Sequence, residues 1–110
     1  MDRPTVSAES EARYNEIAAD LGRRAGVKAS GMFGMPVLKL DGKALAGLYG
    51  DAMTFKLEGA AHAQAMAVPG AHLFDPSGMG RPMKAWVAVP VAQQEHWTRL
   101  ADLALPQSDR

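Results

Sequence analysis

Between Ser30 and Leu57 the chain falls into three short apolar runs, Ser30–Leu40, Lys43–Tyr49 and Ala52–Leu57, separated by Asp41-Gly42 and Gly50-Asp51. Apolar runs joined by two-residue turn signals are the pattern of an antiparallel meander. Asp-Gly suits such a turn because both central residues take positive φ, which glycine adopts freely and aspartate tolerates. Pro36 cannot donate to a ladder, so a short strand is expected before it and a second one after it. Period-two alternation then assigns the faces. Leu38 and Leu40 oppose Val37 and Lys39; Met53, Phe55 and Leu57 oppose Ala52, Thr54 and Lys56; Leu45, Gly47 and Tyr49 oppose Ala44, Ala46 and Leu48.

The flanking segments have helical spacing. Tyr14, Ile17, Ala18 and Leu21 recur at i, i+3, i+4 and i+7, predicting a helix over about Ser7 to Arg24 that stops at Gly26. Its outer face offers Glu9 with Arg13 and Asp20 with Arg24 as i,i+4 pairs, acids early and arginines late as the helix dipole favours. Glu58 to Ala67 predicts a short second helix ended by Pro69-Gly70, followed by a brief strand over Ala71 to Phe74. Asp75 to Pro82 is a loop, and Met83 to Val89 alternates as a last strand with Lys84, Trp86 and Ala88 on one side. Pro90 opens a final helix whose stripe is Trp97, Leu100, Ala101 and Ala104, with Glu95 and Arg99 paired outside and Pro106 closing it. The expectation is an α+β domain: a single antiparallel sheet of about five to six strands with N-terminal, middle and C-terminal helices. The 110 residues form one domain with an ordered core over about 7–105. Helices on one face leave the other partly open, and a site is expected there or at its edge.

Composition narrows the function classes. Without cysteine, disulfides, thiolate catalysis and sulfur-ligated zinc are excluded. The start, Met1-Asp-Arg-Pro-Thr, lacks a signal-peptide apolar core, and no apolar run approaches membrane-spanning length, so a cytoplasmic location is expected. Twelve basic and twelve acidic residues give a formal net charge of zero, removing the global argument for nucleic-acid binding but not a local patch. Residues 28 to 84 carry an excess of +2.

Sites of chemistry are sparse. His62, His72 and His96 lie on separate elements without an i,i+4 partner, so neither a metal nor a cofactor is expected; an approach of His62 to His72 across Pro69-Gly70 is the one pairing that spacing leaves open. The serines sit near helix ends, turns or loops with no base beside them, which points away from an enzyme. The loop Gly78 to Lys84, with Arg81 and Lys84, could turn amides toward an anion, although a plain turn between strands is the preferred reading. Lys39, Lys56, Lys84 and Trp86 would share the face away from the helices, a basic and aromatic surface suited to acidic partners or single-stranded nucleic acid. Six of the seven methionines lie between Met32 and Met83, chiefly as core filler.

Ser30-Gly-Met-Phe-Gly-Met, Asp41-Gly-Lys43, Phe55-Lys-Leu57, Phe74-Asp-Pro76 and Gly80-Arg-Pro-Met-Lys-Ala-Trp86 together resemble the TfoX (Sxy) N-terminal domain family from about Lys28 to Leu105. The resemblance implies a small α+β domain similar to the YjbR group and to type III secretion chaperones. In full-length members the domain precedes a helical one, and those proteins regulate natural competence genes; this chain looks like a stand-alone N-terminal domain. The family supplies no catalytic residue. Gly31, Met32, Phe33, Gly34, Lys56 and Arg81 are the matching positions, with Met32 and Phe33 read first as strand anchors in the core. The expectation is a non-enzymatic binding or regulatory module with a protein partner; nucleic-acid binding, an anion site at Gly78 to Lys84 and homodimerisation are alternatives.

Overall fold

The computed structural model describes residues 6–32, 35–75, 80 and 82–105. Helix α1 (Ala8–Ala25) leads into strands β1 (Lys28–Met32), β2 (Met35–Leu40), β3 (Lys43–Tyr49) and β4 (Ala52–Lys56). Helix α2 (Gly59–Met66), strands β5 (His72–Phe74) and β6 (Met83–Pro90), a 3-10 segment over Val91–His96 and helix α3 (Trp97–Ala104) complete it. All strand pairs are antiparallel, in the order β1-β2-β3-β4-β6-β5. The fold is therefore α+β, with three helices on one six-stranded sheet.

Both hairpin turns form at the expected dipeptides. Asp41 and Gly42 have φ of 53° and 80°, and Leu40 pairs Lys43 across them. At the second turn only Gly50 is positive, and Tyr49 pairs Ala52. Pro36 marks no break: β2 already runs from Met35, and Pro36 stands inside it opposite Gly31. The final helix is split, with Gln93 leaving helical geometry, so regular α-helix begins only at Trp97.

The helix-side core joins Tyr14, Ile17 and Leu21 of α1 to Leu38, Leu48, Met53, Phe55, Val87 and Val89 of the sheet and to Trp97, Leu100 and Ala101 of α3. Trp97 is fully buried and its indole N–H donates to the Val89 carbonyl at 3.1 Å, fixing α3 on β6. The alternation read for β2, β4 and the Trp86–Val89 part of β6 holds, but a register shift that sets Phe74 opposite Met83 breaks it at the start of β6, and that for β3 needs correction. Between Leu38/Ala46 and Lys39/Ala44 the register shifts, leaving Leu45 as an extra residue on β3. That bulge turns Leu45 into the helix-side core beside Ala46 and Leu48, while Ala44 and Tyr49 pack on the far face.

The far face is not bare. Met35, Val37, Phe74, Trp86 and Ala88 form a second buried apolar cluster there, flanked by Ala44, Tyr49 and Ala52. Gly47 makes room for it: a Cβ at this position would lie 2.9 Å from Met35 Cε and 3.0 Å from the Pro36 carbonyl oxygen. Tyr49 and Phe74 meet edge to face with ring centres 5.1 Å apart. The expectation of a partly open face thus holds only outside this cluster.

Candidate functional site

All five lysines of the chain, Lys28, Lys39, Lys43, Lys56 and Lys84, lie in strands, and no strand contains an acidic residue. The arginines of the helices are placed differently. Arg13 pairs with Glu16, Arg23 with Asp20, and Arg24 with both Asp20 and Asp102. Among the described residues no lysine enters an ion pair. Apart from Arg99, which bonds Gln64 and His96, the helix arginines are ion-paired, whereas the strand lysines among the described residues are not.

Register fixes the lysine positions. Lys28 stands directly opposite Lys39, and Lys39 opposite Ala44, on the side that carries Val37. Lys56 stands opposite Trp86 on the same side. The register shift that sets Phe74 opposite Met83 breaks the alternation of β6 before Trp86, so period two does not carry Lys84 to that side. Lys28, Lys56 and Lys84 are exposed and Lys39 is half-buried. Register brings Lys39, Lys56 and Trp86 to one side of the sheet, with Lys28 added, and does not bring Lys84 to them. Lys28 could have been found from the same alternation, had β1 been paired to β2 in register. Trp86 needs correction as a contact residue: at 9% exposure it belongs to the second cluster and displays no open ring for stacking.

Two hollows adjoin this row. One of about 540 Å³ lies at the end of the sheet between Lys43, Lys56, Glu58 and Leu57, reaching Ala104 of α3. The other, about 340 Å³, is lined by Lys28, Ser30, Lys39 and Asp41 with Gly26 and Gly42. The second brings the Ser30 hydroxyl near Lys28, Lys39 and Asp41, but no hydrogen bond among the described residues joins Ser30 to any of them.

The remaining candidates disperse. His62 Nε2 lies 2.8 Å from the Lys84 carbonyl, His72 Nδ1 3.1 Å from that of Gly70, and His96 Nδ1 3.2 Å from Arg99. Among the described residues no group of three or more His, Asp or Glu side chains could hold a metal. Of the anion-loop candidate, Arg81 and residues 76–79 lie outside the described residues, as do Phe33, Gly34 and the Met32 side chain of the Met-Phe-Gly motif. Gly31 is an exposed residue of β1. In the described part of the loop the Gly80 N–H donates to Asp75 Oδ2 at 2.9 Å, so a carboxylate already takes the place an anion would fill.

One polar cluster escaped the sequence reading. Ser7 caps α1, its hydroxyl accepting from the Ser10 N–H, while the Ser7 N–H and the Ser10 hydroxyl both donate to Asp51 Oδ1 at 2.9 Å. Hydrogen bonds from Ser7, first through its backbone, and from Ser10 hold the Asp51 carboxyl below its usual pKa. With Val91 N–H on the Asp51 carbonyl at 2.7 Å, this joins α1, the β3–β4 turn and the 3-10 segment. It ties structure together.

No helix among the described residues is long and apolar enough to cross a membrane. No family model, no curated protein and no solved structure matches this chain.

Proposed function

We propose that this chain is a non-enzymatic binding module that receives an acidic protein partner on the lysine-bearing side of its sheet. The carrying observation is the segregation of charge: every charged residue of the six strands is a lysine, and among the described residues none has a carboxylate partner. Exposed lysines also keep a sheet soluble and discourage edge pairing. Solubility alone, however, does not require Lys28, Lys39 and Lys56 to share one side. The resemblance to the TfoX N-terminal domain family supports a regulatory rather than a catalytic role. Nucleic acid is the second reading, favoured by the same lysines, but burial of Trp86 removes the aromatic platform that single strands stack on.

The test is fluorescence anisotropy with labelled oligoglutamate and a labelled single-stranded oligonucleotide at low salt. Oligoglutamate should bind, and Lys39→Glu/Lys56→Glu/Lys84→Glu should weaken it about tenfold or more while circular dichroism stays unchanged. Equal binding by the folded triple variant rejects this surface. Tighter binding of the oligonucleotide, falling steeply with salt, transfers the conclusion to nucleic acid.

A further inference from the structure

Strand β1 is one edge of the sheet and differs from the other edge. Strand β5 has three residues and a register shift between Leu73 and Phe74. Strand β1 pairs β2 without a shift over all five residues, from Lys28 opposite Lys39 to Met32 opposite Met35. Lys28, Ala29, Ser30 and Gly31 are all exposed, and their side chains are short beyond Lys28. Edge strands are commonly blunted by proline, bulges or several charges. Strand β1 has neither proline nor bulge, and one charge at its start. It is an unshifted edge whose outward N–H and C=O groups have no strand beside them among the described residues.

The charges next to this rim are arranged unfavourably in the free protein. Like charges directly opposite in an antiparallel pair repel, with Cβ atoms only ~5 Å apart. Lys28 and Lys39 stand in that relation, and neither is ion-paired, even though Asp41 lines the same hollow. Ser30, on the same side two residues along, adds a hydroxyl.

We propose that β1 is a docking edge: an extended acidic segment of a partner protein adds to it as a further strand, with a carboxylate on the residue set opposite Lys28, in line with Lys39 one strand further in. Main-chain hydrogen bonds supply affinity, and the Lys28–Lys39 pair reads that one side chain, while the next residue projecting to the same side faces Ser30. The added carboxylate relieves the Lys28–Lys39 repulsion, so acidic strands are preferred over neutral ones. This inference rests on the acidic-partner reading above and specifies how that partner is held.

The experiment selects a displayed library of random peptides on the immobilised full chain, then titrates the best peptide and its alternately N-methylated form. The expected peptides carry Asp or Glu at the one position set opposite Lys28. N-methylation, which deletes main-chain donors, should cost about tenfold or more in affinity, as should Lys28→Glu/Lys39→Glu. Amide hydrogen exchange should show alternate amides of β1 becoming protected while β5 is unchanged. Failure to select any peptide, selection of peptides without acids, indifference to N-methylation or protection elsewhere each overturns the docking edge. If Lys56→Glu/Lys84→Glu abolishes binding and Lys28→Glu/Lys39→Glu does not, the edge falls and the acidic-partner reading stands. If neither pair matters, both fall. Protection of β1 without peptide, accompanied by concentration-dependent mass, would make a second copy the occupant and also overturn it.

Discussion

At the residue scale, two buried hydroxyls among the described residues, those of Tyr14 and Thr54, have no hydrogen-bond partner. Burying a hydroxyl unpaired costs about 1–3 kcal/mol by mutational measures. Tyr14 shows the same penalty electrostatically, burial alone pushing its pKa well up, because the phenolate is the more costly form to bury. Tyr14→Phe keeps the ring in the α1 stripe and removes only the orphaned oxygen. It should raise the unfolding free energy by about 1 kcal/mol in urea titrations, and a loss of stability would show that the hydroxyl is satisfied in solution. Gly47 predicts the opposite sign. A Cβ there meets Met35 Cε, the Pro36 carbonyl oxygen at 3.0 Å and Thr54 Oγ1 at 3.1 Å, and the carbonyl belongs to backbone that cannot swing aside. Gly47→Val should destabilise by about 1–3 kcal/mol, as overpacking does, and disturb the far-face cluster before the helix-side core. A near-neutral substitution would mean that β2 and β3 have slack at this crossing.

At the scale of elements, the N-terminus of α1 depends on a residue from another hairpin. Asp51 accepts from Ser7 and Ser10 at the positive end of the helix dipole. Its folded pKa is depressed, so its contribution is present above the unfolded carboxylate pKa and is lost as pH falls through the folded value. Asp51→Asn should therefore lower Tm at pH 7, and the gap to wild type should narrow below about pH 4. A gap that stays constant with pH would remove the charge from the explanation and leave only the hydrogen bonds. Elements were legible in the sequence wherever the signal was local. The α1 stripe, the Gly26 stop, the Asp41-Gly42 turn and the alternation of β2 and β4 each depend on spacing or on one backbone preference. What failed depends on distant partners. Arg13, expected on Glu9, instead holds Glu16 and donates to Thr98 of α3, while Glu9 accepts from Gln94. Arg99, expected on Glu95, donates to Gln64 of α2. Helix packing offered these side chains better geometry than an i,i+4 neighbour, and no periodicity encodes that. The bulge at Leu45 likewise follows from pairing two strands, so β3 alone could not announce it.

At the scale of the molecule, a formal net charge of zero conceals a division of charge between the two sides of the sheet. The candidate site was legible in part: alternation put Lys39 and Lys56 on one side, as the register does, while the shift in β6 takes Lys84 out of reach of that rule. Burial of Trp86 was not, because the second cluster needs Gly47, Phe74 and Met35 to converge from separate strands. Charges at opposite sides of a small domain lie farther apart than the ~10 Å over which 0.1 M salt screens them, so each side acts on its surroundings almost independently. A surface that meets the lysine side first therefore experiences a cation, whatever the total. The chain should accordingly be retained by a cation-exchange resin at pH 7 and low salt. Elution should come as ionic strength approaches ~0.1 M, where the Debye length falls to that of the patch. Lys39→Gln/Lys56→Gln/Lys84→Gln should pass through unretained, whereas Arg23→Gln, which removes a guanidinium already paired with Asp20, should elute close to wild type. Passage of the wild-type chain through the column would show that Asp41, Glu58 and the other turn carboxylates cancel the lysines at a distance, and the asymmetry on which an acidic partner depends would be absent.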